Sequence, residues 1–200
     1  MKTIVITGPS GSGKTYLSNK LSKLFNNSII IKTDSYYRDD FYIKLLSIFI
    51  YDIYDRFISI KDKCLIKTIT SIYNKEDYPT FYNYDFKRKR STQLKRLINY
   101  QKNNNFLILE GIFSHRLNID YEKTINIICN EKKEICYQRR LIRDKIERGR
   151  DIKEVNKKFS KSWNIYFKNL DNFLNLNNVI SINTINKTTF KQLIDKLQEL

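Results

Sequence analysis

Gly8-Pro9-Ser10-Gly11-Ser12-Gly13-Lys14-Thr15 satisfies the pattern G-x-x-x-x-G-K-[ST]. An apolar β-type run, Thr3-Ile4-Val5-Ile6-Thr7, precedes it, and Leu17, Leu21 and Leu24 follow at helical spacing. The small residues let the backbone fold tightly enough that successive N–H groups point into one concavity, and the starting helix adds the positive end of its dipole. Gly8, Ser10, Gly11, Ser12 and Gly13 are therefore predicted to cradle the phosphates of a nucleotide. Lys14 is predicted to reach the β- and γ-phosphates and the Thr15 hydroxyl to ligate Mg²⁺, so ATP and Mg²⁺ are the expected cofactors. A Gly/Ser-rich turn that binds nothing is the blander alternative; the strand, the helix and all four defining positions argue against it.

Two hundred residues suit one domain, 1–200, with a sizeable core, and no Pro/Gly/Ser-rich stretch divides them. No apolar run approaches the roughly 18 residues of a membrane span, and the N-terminus enters a strand without a signal-peptide core, so a cytoplasmic, membrane-free protein is expected. Three cysteines, Cys64, Cys129 and Cys136, lack C-x-x-C spacing and have a single histidine, His115, to join them. Neither a disulfide framework nor a structural metal site is expected. The net charge of +16 would suit nucleic acid. The chain, however, has no alanine and abounds in Lys, Asn, Ile and Tyr, residues with AT-rich codons. Its basic residues are spread along it without a recognised binding module, so no nucleic-acid partner is expected.

Strands are predicted at 3–7, 28–32, 106–109, 124–129 and 179–182, several continuous in Ile, Val or Leu as strands buried on both faces are. Helical patterns lie between them. The alternation predicts an α/β fold, a mostly parallel sheet flanked by helices, with ligands at the carboxyl ends of the strands. The stretch 41–75, dense in Ile, Phe and Tyr, reads as helices over the sheet or the wall of a substrate pocket. The Asn-rich pieces at 103–105 and 175–178 read as turns.

Asp34 stands just beyond the second strand and Glu110 just beyond the strand Phe106-Leu107-Ile108-Leu109. A carboxylate at the first place can accept a proton from an attacking hydroxyl or help hold Mg²⁺, and one at the second can tether the metal's water shell. Further on, Arg139 to Arg150 holds five arginines in twelve residues. If the segment is helical to Arg148, Arg139 and Arg143 share a face, Asp144 and Arg148 can pair, and Gly149 ends the helix and frees Arg150 to swing. Guanidinium forks there suit a lid closing on a triphosphate. A solvated basic helix is the alternative.

Taken together, the phosphate loop, Asp34-Ser35-Tyr36-Tyr37-Arg38, Glu110-Gly111-Ile112-Phe113, Pro79-Thr80-Phe81-Tyr82-Asn83-Tyr84-Asp85-Phe86 and above all Arg139–Asp151 resemble the uridine/cytidine kinases, P-loop nucleoside kinases of the phosphoribulokinase/uridine kinase group. The resemblance spans roughly residues 3–183. It implies a three-layer P-loop kinase fold with a lid near 134–160 and a base-covering hairpin near 78–92. It also implies ATP- and Mg²⁺-dependent phosphorylation of the 5′-hydroxyl of uridine, or cytidine, with Asp34 as base. On the same footing, Asp52 beside Tyr51, with Asp55 as fallback, would hold the ribose hydroxyls. Tyr37, Tyr84 and Phe86 would line the base pocket and Glu110 the metal site. Arg140, Arg143, Arg148 and Arg150 would be lid residues, with Arg143 catalytic, Arg148 and Arg150 on ATP, and Arg140 and Arg150 also at the substrate. Relatives are often tetramers, which makes a homo-oligomer an expectation.

The chain departs from the family at three places. Lys87-Arg88-Lys89-Arg90 stands where the family has a base-reading histidine, with Lys89 nearest that place; the N-F-D-x-P signature is reduced to Tyr51-Asp52; and Ser162-Trp163-Asn164-Ile165 replaces a K-P. His115, downstream of Glu110, reads as a loop residue. Kinases of another small alcohol (nicotinamide riboside, pantothenate or a sugar phosphate) and a non-catalytic nucleotide- or RNA-binding protein are the alternatives.

Overall fold

The computed structural model describes residues 1–26, 28–101, 106–176 and 178–198. Its core is a parallel sheet of five strands, β1 (Lys2–Thr7), β2 (Ser28–Lys32), β5 (Phe106–Glu110), β6 (Ile125–Cys129) and β7 (Val179–Ile182), in the order β2-β5-β1-β6-β7. All five lie where the apolar runs predicted them. Side chains alternate across a strand, so Ile4 and Ile6 pack one face with Ile108 and Ile127, while Val5 packs the other with Ile31, Leu107, Leu109 and Ile128. Each such fully buried Ile or Leu stabilises by roughly 1.5–3 kcal/mol.

On the first face lie α1 (Lys14–Leu24) and α7 (Lys187–Gln198), through Leu17, Leu21, Leu193 and Leu197. Leu24, expected on the same stripe, is 49% exposed because it is the last residue of α1, where the chain turns away. The second face is covered by α3 (Asp62–Tyr73), through Leu65, Ile69 and Ile72, and by Tyr166, Leu170 and Phe173 of α5 (Ile152–Lys168), α6 (Asp171–Leu174) and the bend between them.

The stretch 41–75 resolves into α2 (Phe41–Phe49), two short 3₁₀ turns and α3. Asp40 caps α2 by accepting the Ile43 amide at 3.1 Å. A separate hairpin, β3 (Thr80–Asp85) and β4 (Arg90–Lys95), occupies the region expected near 78–92 and extends to Lys95. Asp85 Oδ1 accepts the amides of Lys87 and Arg88 and so builds its turn. The basic segment forms α4 (Lys133–Arg148), ended by Gly149 at φ 64° as its spacing predicted. The Asn-rich piece at 103–105 lies outside the described residues, as does residue 177 of the second piece, whose remainder links α6 to β7. Among the described residues no helix is long and apolar enough to cross a membrane.

Candidate active site

The carboxyl ends of β1, β2 and β5 open on one cavity of about 260 Å³, lined by Ser10, Gly11, Gly13, Lys14, Thr15, Asp34 and Ile112 on the sheet side and by Arg139, Arg140, Arg143 and Arg148 on the other. Gly11 holds φ 90°, and a Cβ there would overlap the carbonyl of Cys136, so loop and α4 touch backbone to backbone. Lys14 is buried at 7% exposure, its ammonium donating to the Pro9 carbonyl at 2.9 Å. Ser12 Oγ is buried with no hydrogen-bond partner among the described residues. A loop of small residues opening α1, an orphaned hydroxyl and a ring of guanidinium groups fit a polyphosphate.

Thr15 Oγ1 donates to Glu110 Oε1 at 3.1 Å, a hydroxyl and a carboxylate together at the end of β5, and these two with Asp34 are the groups that could hold Mg²⁺. Burial pushes the Glu110 carboxyl up, the Asp34 charge adds to this, and Lys14 opposes it. Asp34 sits in a 3₁₀ turn after β2, where its Oδ1 accepts the Ile112 amide at 3.2 Å. That contact depends on Gly111, since a Cβ there would overlap Thr33 Oγ1 and crowd Asp34. Among the described residues no cluster of three or more His, Cys, Asp or Glu side chains could hold a metal, and all three cysteines are free.

A second cavity, about 250 Å³, adjoins the first. Tyr37, Asp55, Phe86, Arg140 and Arg148 line both, so the two form one cleft. Ser47, Tyr51, Tyr54, Tyr84, Lys89, Arg150 and Lys158 complete the second. Tyr37, Tyr84 and Phe86 pack edge to face or tilted, with centroids 5.1–5.7 Å apart. Arg148 lies 4.1 Å from the Phe86 ring centroid. The positive φ of Lys89, 49°, turns the chain at the hairpin tip, and its ammonium lies 5.9 Å from the Tyr54 ring.

Asp52 is not on this cleft. It pairs instead with Arg56 one helical turn on, at 3.0 Å. The 3₁₀ turn Ile53–Asp55 carries the next carboxylate round to the cavity, so Asp55, the fallback, lines it and Asp52 does not. Burial raises the Asp55 carboxyl above its usual range, while Arg140, Lys158 and Arg150 act against it.

While Arg139 pairs with Glu131 at 3.3 Å, four of the five arginines converge on Asp144, which is fully buried. Arg143 bonds it at 2.9 Å, Arg150 at 2.8 Å, and Arg140 and Arg148 approach at 3.5 Å. Burial alone would raise Asp144; Arg148, Arg143 and Arg140 outweigh it and hold the carboxyl below its usual value. Arg148 is pushed down to about 10 by burial and the neighbouring Arg143 charge. Arg150 is therefore not free to swing: it pairs with both Asp144 and Glu154. Two further arms reach the phosphate loop, Arg143 to Ser10 Oγ at 3.1 Å and Arg139 to the Gly11 carbonyl at 3.3 Å. Arg140 donates to Ser162 Oγ at 2.5 Å, which gives a use to the segment that replaces K-P.

His115 lies in the connection after β5, as expected, in the 3₁₀ turn Ser114–Arg116, and is buried there. Its Nδ1 meets Thr7 Oγ1 at 2.9 Å, its ring packs on Tyr166 and Phe173, and burial pushes it down to about 4, so it is neutral. Tyr54 and Lys158 line the second cavity without any sequence signal that marked them. They come from a bridging turn and from α5, and only the tertiary fold brings them together.

The sequence profile of the phosphoribulokinase/uridine kinase family matches residues 3–180. No curated protein is similar to the chain at a significant level. Among solved structures, a possible uridine kinase from Bacillus stearothermophilus superposes with TM-score 0.57 at 13% identity, over 90% of this chain and 88% of that one. The YGR205w protein gives 0.60 at 15% identity, over 91% and 85%. A protein from Silicibacter sp. TM1040 assigned as a fructose transport system kinase gives 0.57 at 11% identity, over 78% of each. At such identities these structures speak for the fold. The family match over most of the chain, on a sheet whose strand ends gather phosphate loop, carboxylates and arginines, shows that the chain belongs to the phosphoribulokinase/uridine kinase family and is a phosphotransferase with an alcohol acceptor.

Proposed function

We propose that this phosphotransferase moves the γ-phosphoryl group of ATP to the 5′-hydroxyl of uridine, and of cytidine less well. The observation that carries the reading is the continuity of the cleft. Asp34 faces the phosphate cavity, and the same Tyr37, Asp55 and Phe86 that close that cavity open the aromatic slot with Tyr84. A planar base between aromatic rings and a diol held by Asp55 would orient a ribose so that its primary hydroxyl meets Asp34. Asp34 takes the hydroxyl proton as the new P–O bond forms and the bond to the β-phosphate oxygen breaks. Lys14 and the lid arginines then balance the charge that collects on the leaving ADP. Mg²⁺ at Thr15, Glu110 and Asp34 would neutralise phosphate oxygens.

A second reading is favoured by one observation. Lys89, Arg150 and Lys158 line the acceptor cavity in addition to Arg140 and Arg148, against the single carboxylate of Asp55. That surplus suits an alcohol bearing a phosphate or carboxylate. A thermal-shift screen with a non-hydrolysable ATP analogue separates the readings, because a bound ligand raises the melting temperature by mass action. Uridine stabilising the complex at millimolar concentration supports the first. A sugar phosphate or hydroxy acid stabilising it when uridine does not would replace the first by the second.

A further inference from the structure

We propose that Asp144 is a positioning residue for phosphoryl transfer, whose buried carboxylate assembles four arginines over the junction of the two cavities. Guanidinium groups stay charged at any working pH, and four of them gathered in one place repel. Asp144 is the carboxylate they share: Arg143 and Arg148 approach Oδ1, Arg140 and Arg150 approach Oδ2, all between 2.8 and 3.5 Å. Beyond it, Arg143 reaches the neutral Ser10 Oγ and Arg140 the neutral Ser162 Oγ, and only Arg150 of the four has a second carboxylate in an ion pair among the described residues, Glu154 at 3.5 Å.

The same residue also shapes the chain that delivers the arginines. Its backbone carbonyl accepts the amides of Gly149 and Arg150, so the reversal after α4 that returns Arg150 towards the cleft is tied to Asp144 at both ends. Of the four, Arg140, Arg143 and Arg148 line the phosphate cavity, and Arg140, Arg148 and Arg150 the acceptor cavity. Donors fixed before the reaction stabilise charge that develops in the transition state without reorganising. The carboxylate has a second, opposite effect. It competes with the phosphates of bound ATP for the same guanidinium groups, which weakens ground-state binding and leaves transfer as the step it favours.

These two effects make the variant Asp144→Asn separate two measurements, which a merely loosened fold would not do. Binding of MgATP, read by calorimetry and independent of any acceptor, is expected to stay within about threefold of wild type or to tighten, while kcat falls by about tenfold or more. The turnover arm rests on the uridine reading. If the wild-type protein does not turn uridine over, that reading has failed on the wild type, and the binding arm still decides the role of Asp144. ATP binding weakened by more than threefold, or a fall in kcat smaller than tenfold, overturns the proposal.

A double-mutant cycle adds a test in which folding cancels. In an Arg143→Ala background, Asp144→Asn is expected to cost less than half as much, on a logarithmic scale, as in wild type. Full additivity contradicts the proposal. Should Asp144→Asn lack a cooperative unfolding transition, Asp144→Glu keeps the charge and moves it by one methylene. It is then expected to bind ATP as wild type with kcat lowered about threefold or more, and wild-type turnover contradicts the proposal.

Discussion

Thr15 Oγ1 donates to Glu110 Oε1 at 3.1 Å, which ties the first turn of the phosphate-loop helix to the end of a strand 95 residues away. The pair brings a hydroxyl and a carboxylate to the place where a magnesium–nucleotide complex would lie, and it leaves Glu110 buried at 4% exposure. Burial raises its carboxyl above the usual 4.5.

The sign of that shift gives a first prediction. A carboxyl raised in the folded state keeps its proton more readily there than in the unfolded chain. The ionised form therefore costs stability, increasingly as pH rises from 4.5 through the raised value. Without Mg²⁺, Glu110→Gln is expected to melt above wild type at pH 7–8 and to lose that advantage near pH 4. Its kcat should fall by roughly 10²-fold and its stabilisation by MgATP should shrink. Thermal unfolding across pH, with and without MgATP, checks both; a variant less stable than wild type at pH 8 contradicts the sign.

Lys14 and Asp34 are expected to separate binding from chemistry. Lys14→Ala should weaken both nucleotide binding and turnover. Asp34→Asn should bind ATP nearly as wild type and lose roughly 10²- to 10⁴-fold in kcat, the usual worth of a general base. Calorimetry with single-turnover rates would show it, and near wild-type kcat in Asp34→Asn would remove the base from this position.

Asp55 and Asp52 give a sharp contrast, since one lines the acceptor cavity and the other pairs with Arg56. Asp55→Asn should raise the acceptor KM by about tenfold or more, the worth of a charged hydrogen bond. Asp52→Asn should change it less than threefold. Steady-state kinetics in the acceptor decides, and the reverse ranking would return the ribose contact to Asp52.

Lys89 at the hairpin tip donates hydrogen bonds and cannot accept them. The O4 carbonyl of uracil suits it, whereas cytosine presents an amine there. Uridine should therefore exceed cytidine in kcat/KM by a factor corresponding to about 1.5–3 kcal/mol, and Lys89→Ala should reduce the ratio. An unchanged ratio would place base reading elsewhere.

Local features of this protein could be read from the chain, and cooperative ones could not. The central strands were readable because they are short apolar runs buried on both faces, as in Ile4-Val5-Ile6 and Leu107-Ile108-Leu109, while β6 and β7 kept enough Ile and Val to be read through Asn126 and Ser181. The phosphate loop was readable because its chemistry is contained in eight consecutive residues. In α4, the i,i+4 spacing already suggested that Asp144 could meet Arg148. Arg140 stands at the same spacing on the other side of Asp144, but that all four meet on one buried carboxylate depends on the burial of one face of α4 and, for Arg150, on the reversal at Gly149. Asp52 and Asp55 are chemically alike and three residues apart, and what divides them is a 3₁₀ turn and a partner at Arg56. In α2 the pattern itself misled: Phe41, Ile48 and Phe49 are 75–79% exposed, so apolar character there does not mark a core.

The central claim is transfer from ATP to a nucleoside hydroxyl, and product identity tests it most directly. Wild-type protein incubated with MgATP and uridine should form ADP and uridine 5′-monophosphate in equal amounts, resolved by chromatography and mass. Asp34→Asn should form neither at more than a small fraction of that rate. Folded, ATP-binding protein that releases no ADP in response to uridine, cytidine or any other alcohol would contradict the account.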